Sequence, residues 1–164
     1  MSALRYIAGY PDNLQQQVKD LIKQQRLGDY LQKRYSEYHS IQNDKALHAH
    51  VDAMKQRFLR HAPPINKAHY DSKLDVIHNA LGLHTRRSHN HGGQLKARKE
   101  IRIASVFKEL PAVFLDMIVA HELAHLRELD HNKAFYQLCE HMQPGYAQLE
   151  FDLRLFLIWR ELKA

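Results

Sequence analysis

The sequence holds one cysteine, Cys139, in 164 residues. No disulfide framework and no Cys-based zinc ribbon can form within one such chain. Long apolar runs are missing as well. Nothing approaches the roughly 20 residues of a membrane span, and the opening MSALRYIAGYPDN lacks the apolar stretch of a secretory leader. There is no internal repeat, low-complexity segment or long linker. These absences predict a soluble, cytoplasmic, globular protein with no membrane partner, a single domain over residues 1–164.

Basic charge and histidine are what the sequence has in excess: a formal net charge of +6 and 13 histidines. The charge is concentrated. His84–Lys108 contains seven bases (Arg86, Arg87, Lys96, Arg98, Lys99, Arg102 and Lys108) against one acid, Glu100, which equals the whole net excess. Such a cluster predicts an anionic partner, and Arg86, Arg87, Lys96 and Arg98 are the candidate anion-binding residues. The competing reading is a solvated strand face whose charges protect a sheet edge. Phe107 is the only aromatic residue within the stretch. Stacking on nucleic-acid bases is therefore disfavoured, which leaves contact with a phosphate backbone.

Apolar periodicity predicts a helical part, residues 1–62, and a part holding a sheet and the site, residues 63–164. Helices are expected from Asp12 to Leu27 with Gly28 as the stop, from Asp29 to about Tyr35, and from Asn43 or Asp44 to about His61. Lys73–Leu83 is a candidate strand. Thr85–His89 and Gln94–Phe107 flank the turn signal Asn90-His91-Gly92-Gly93 and read as a basic antiparallel hairpin. A helix apolar on most of its circumference is predicted from Val113 to about Leu129, followed by Ala134–Met142 and Gln148–Leu162. The order of elements is that of an α+β fold.

The apolar helix contains His121-Glu122-Leu123-Ala124-His125, the H-E-x-x-H pattern of zinc sites. Imidazoles four residues apart share a helix face and can point at one ion. Glu122, turned by about 100°, is placed to take a proton from a water on that ion. Catalytic zinc needs a third protein ligand and an open position. His131, six residues beyond His125, is the favoured third ligand, with Glu128, Glu140 and Glu150 as alternatives. Glu128 is also a candidate to orient a ligand histidine. His141, Tyr136, Tyr146, Arg86 and Arg87 are candidates by residue type alone for stabilising transition-state charge. The expected cofactor is Zn²⁺ or another divalent transition metal.

The segment IVAHELAHLRELDHNKAFYQLCEHM, with the preceding IRIASVFKELP, resembles the YgjP-type family of zinc metallopeptidases, relatives of the SprT-like proteases. The resemblance implies a zincin-like fold, with a small antiparallel sheet packed against the central zinc helix and further helices at both ends. It also implies His121, His125 and His131 as ligands and Glu122 as general base. Glu128 stands where metzincins carry glycine, and no Met-turn is evident, which disfavours a matrix-type protease. Three readings follow. The first is a zinc-dependent hydrolase acting on peptides. The second is a metal-dependent phosphohydrolase cleaving nucleoside triphosphates or related polyphosphates at a cleft lined by the basic stretch. The third is a SprT-like protease associated with nucleic acid.

Overall fold

In the computed structural model, residues 2–76 and 100–164 are described, and they fall into two compact units. One unit joins the N-terminal residues through Glu37 to Ala147–Ala164, and the other is Tyr38–Tyr146.

The first unit begins with a 3₁₀ turn, Ser2–Ile7, followed by α1 (Asp12–Lys23) and α2 (Leu27–Arg34). The long C-terminal helix α6 (Tyr146–Lys163) supplies the rest, through residues 147–164. The expected helix to Leu27 stops at Lys23, and Gly28 lies within the first turn of α2 rather than ending α1. The break comes at Gln25, whose φ of 57° is left-handed. Gly28 answers to a different constraint: a Cβ there would lie 2.8 Å from the indole Nε1 of Trp159. Asp152, fully buried, accepts hydrogen bonds from the hydroxyls of Tyr30 (3.3 Å) and Tyr35 and from Gln148 Nε2 (3.1 Å).

The second unit holds α3 (Asp44–Phe58), β1 (Lys67–Asp71), β2 (Glu100–Ala104), a 3₁₀ turn (Ser105–Glu109), α4 (Ala112–Ala124) and α5 (Lys133–Met142). Asn43 caps α3, its Oδ1 accepting the Ala46 N–H at 2.8 Å. The sheet corrects the expected topology. β1 and β2 pair in parallel, Ala68 opposite Ile101 and Tyr70 opposite Ile103, not as antiparallel neighbours. Parallel pairing needs a connection of about a dozen residues or more, and residues 72–99 lie between the two strands. β2 thus takes its partner from residues 67–71. The proposed turn Asn90–Gly93, with the arms 85–89 and 94–99, lies outside the described residues. So does most of the candidate strand Lys73–Leu83, whose described part, residues 73–76, forms no strand.

One face of the sheet, Ala68, Tyr70, Ile101 and Ile103, is buried. α3 packs on β1 and α4 on β2. Asp44 ties the layers together by accepting the Tyr70 N–H at 2.9 Å, while the Tyr70 hydroxyl donates to the Ile41 carbonyl at 2.7 Å. The outward face pairs His69 with Glu100 at 2.7 Å and Arg102 with Asp71 at 3.3 Å. As its apolarity predicts, α4 is buried along most of its circumference, with Phe114, Leu115, Met117, Ile118, Val119 and Leu123 all in the core.

Candidate metal centre

The end of α4 builds the site. The helix stops at Ala124, five residues short of the expected Leu129. The N–H groups of His125, Leu126 and Arg127 tighten to i−3 partners, the carbonyls of Glu122, Leu123 and Ala124, at 3.0–3.2 Å. That turn brings the Glu128 carbonyl to 3.0 Å from His125 Nδ1. A carbonyl only accepts, so the hydrogen of the neutral His125 ring is on Nδ1 and Nε2 is bare. Glu128 therefore orients a histidine, as its position suggests, but through its backbone. The chain then returns through Asn132, whose Oδ1 accepts the Phe135 N–H at 2.8 Å and starts α5. This return places His131 Nε2 3.1 Å from His125 Nε2.

His121, His125 and His131 each offer a nitrogen, and these atoms lie within 4.8 Å of one another. Two bare imidazole nitrogens facing at 3.1 Å repel unless a hydrogen or a cation lies between them. His121 is fully buried. Its Nδ1 lies 2.7 Å from the Tyr146 hydroxyl, and its Nε2 has no hydrogen-bond partner among the described residues. Leaving such an atom unsatisfied costs about 1–3 kcal/mol. A divalent ion would satisfy both conditions, and three imidazoles suit zinc or a similar transition metal. The donor set fits the expected group.

Fully buried Phe135 is the floor, its ring centroid 5.0, 4.5 and 4.7 Å from those of His121, His125 and His131. Tyr136 stands at the rim, 41% exposed, 6.2 Å from the His131 ring. Burial, with repulsion from His125 and His131, holds His121 well below the ordinary imidazole pKa. Glu122 is half-buried beside the cluster. Burial pushes its carboxyl up to about 8, against the opposing attraction of Arg102.

The alternative third ligands are engaged elsewhere. The Glu128 carboxylate lies 3.5 Å from Asn132 Nδ2, and Glu150 pairs with Arg154 at 3.9 Å. Glu140 accepts the backbone N–H groups of Gly145 and Tyr146 at 2.6 and 3.0 Å. His141 lies against the Phe58 ring, and Cys139 is buried, as expected for a small apolar residue. Arg86, Arg87, Lys96 and Arg98 lie outside the described residues. Of the basic stretch, Arg102 acts on Glu122, and Lys108 sits 5.0 Å from the centroid of the Tyr70 ring. Sequence reasoning did not find the roles of Phe135, Glu140 and Asn132. Only Asn132, three residues before Phe135 at a helix start, carries a local signal.

A buried helix bearing His-Glu-x-x-His, with a third histidine folded back onto it, defines a protein equipped to chelate a divalent metal ion. The chain belongs to the YgjP-like family: residues 6–155 match the family described as "YgjP-like, metallopeptidase domain". It is also similar to the UTP pyrophosphatase of Escherichia coli (strain K12), with 59% identity over 157 residues, covering 96% of this chain and 94% of that protein. No solved structure gives a significant match. Among the described residues, no helix is long and apolar enough to cross a membrane.

Proposed function

We propose that this protein is a metal-dependent nucleoside triphosphate pyrophosphohydrolase, with UTP as its leading substrate. The observation that carries the reading is 59% identity, across nearly the whole chain, to a protein named UTP pyrophosphatase. The histidine cluster supports the metal dependence, and the excess of base within His84–Lys108 supports the anionic substrate. This reading favours phosphoryl over peptide chemistry.

His121, His125 and His131 would hold the ion. Bound there, zinc or a related metal supplies Lewis acidity toward a phosphoryl oxygen and acidifies a water. Glu122 is the general base, taking the proton of the attacking water. A bond forms from the water oxygen to the α-phosphorus, and the bond from that phosphorus to the α–β bridging oxygen breaks. The products are a nucleoside monophosphate and pyrophosphate. Arg102, exposed on β2 and acting on Glu122, helps offset the charge of the triphosphate, together with Arg86, Arg87, Lys96 and Arg98.

Peptide hydrolysis is the second reading, favoured by the family description as a metallopeptidase domain. A single screen separates the two. Purified protein is assayed with a nucleotide panel and a peptide library under defined zinc, manganese and magnesium, with Glu122→Gln in parallel. Release of pyrophosphate from UTP, lost in the variant, is expected. Peptide cleavage with no nucleotide turnover under any metal would overturn the proposal.

A further inference from the structure

We propose that Tyr146 is a positioning residue for the metal centre: its hydroxyl, carried on a backbone that Glu140 pins, orients the His121 ring and keeps the ring hydrogen on Nδ1. Nε2 is then presented to the ion as a bare ligand atom. The inference rests on the reading of the three histidines as a metal site and deepens it.

The observations form a chain of contacts. The Tyr146 hydroxyl is 2.7 Å from His121 Nδ1. Tyr146 is itself buried, 1% exposed, at the first position of α6. The carboxylate of Glu140, from the preceding helix, accepts the N–H groups of both Gly145 and Tyr146. It thus caps the start of α6 from outside and pins the backbone from which the tyrosine ring extends. Gly145, with φ of 83°, makes that turn in a conformation that other residues rarely adopt.

The two helix-borne histidines differ in how their hydrogens are placed. For His125 the partner is a backbone carbonyl, which leaves no choice of tautomer. For His121 the partner is a phenol, which can donate or accept. If Tyr146 donated, the ring hydrogen would sit on Nε2, buried and aimed where no acceptor stands among the described residues, and ligation there would be blocked. If Tyr146 accepts, both helix-borne histidines offer Nε2. A metal-ligating histidine commonly gives its other N–H to such a partner, and loss of the partner lowers affinity by about 10–100-fold.

Two measurements test this without nucleotide. Long-range ¹H–¹⁵N spectra of the histidine rings are recorded on metal-free and zinc-loaded wild-type protein. The expected result is hydrogen on Nδ1 of His121 in both forms and zinc on Nε2. Hydrogen on Nε2 in the metal-free protein, or zinc on Nδ1, overturns the proposal, and this needs no variant to fold. Zinc affinity is then read by chelator competition. Tyr146→Phe, which keeps the ring, should weaken binding by about 10-fold or more and shift the metal-free tautomer toward Nε2–H. Glu140→Ala should weaken binding in the same direction, to a smaller extent. Affinity in Tyr146→Phe within about twofold of wild type, below the range expected for loss of such a partner, overturns the assignment. A wild-type protein that takes up no divalent ion would instead remove the metal site itself. In that case the assignment of Tyr146 to a metal centre falls with it.

Discussion

Glu122 and the three histidines make different demands on a substitution. Glu122→Gln keeps the shape of the side chain and removes the proton acceptor. Turnover should fall by about 10²-fold or more while metal content, read by elemental analysis, stays at the wild-type level. His121→Ala and His125→Ala should abolish metal uptake, and His131→Ala should weaken it strongly. Phe135→Ala removes the floor under all three rings. Denaturant unfolding should register a loss of about 3–5 kcal/mol, with the metal site loosened as well. At this scale the sequence was legible where the chemistry is local. His121, Glu122 and His125 lie within one and a half turns of a helix, and their spacing alone states their relation. Tyr146 is 25 residues from His121 in sequence and touches it only because the turn after α5 folds back. No periodicity records such a contact. Its residue type made it a candidate, and only the fold gives it a partner.

Elements that announce themselves by apolar period were readable, and those that depend on a distant partner were not. α3, α5 and α6 lie within a few residues of their expected bounds, because amphipathic stripes and capping asparagines are properties of a short stretch. β1 was not foreseen. Only Ala68 and Tyr70 of its five residues are buried and apolar, too brief an alternation to stand out. The direction of pairing follows from residues 33 apart, so a turn signal such as Asn90–Gly93 could mislead. The helix ends tell a similar story: α4 was expected to run to about Leu129, yet from His125 on the N–H groups turn to i−3 carbonyls and the helix closes, a change that Leu126 and Leu129 do not announce. The sheet also makes a pH prediction. The backbone N–H of Lys73, aided by Arg102, holds the Asp71 carboxyl below its ordinary pKa, and the hydrogen bond from His69 does the same for Glu100. Depressed carboxyl pKa values contribute stability above the ordinary range, which is lost as pH falls through the folded-state values. Protection factors of the β1 amides, which allow for the slower intrinsic exchange in acid, should therefore fall on acidification, and Asp71→Asn should reduce that sensitivity.

For the whole molecule, the uneven distribution of charge is the property with the widest consequence. A net +6 concentrated in His84–Lys108 raises the local concentration of a polyanion. KM for UTP should rise with ionic strength, since screening acts on exposed charges over about 10 Å at 0.1 M salt. Replacing Arg86, Arg87, Lys96 and Arg98 together by glutamine should raise KM and flatten that salt dependence, with metal content unchanged. The composition predicts an anionic partner without specifying which. Charge reports the sign of a ligand, whereas discrimination among a peptide, a nucleotide and a nucleic acid depends on contacts that composition does not encode.

The deep packing of α4 bears on how the protein depends on its ion. Phe114, Leu115, Met117, Ile118, Val119 and Leu123 bury the helix through apolar contacts that need no metal. Small zinc modules collapse when stripped; this scaffold should not. Dialysis against a chelator should leave its helical signal and cooperative unfolding in place. Restoring the ion at about 100 times its Kd should raise Tm by no more than about 10 °C. A protein of that kind, stripped of its ion, would be folded but idle, and its active fraction would follow the supply of metal.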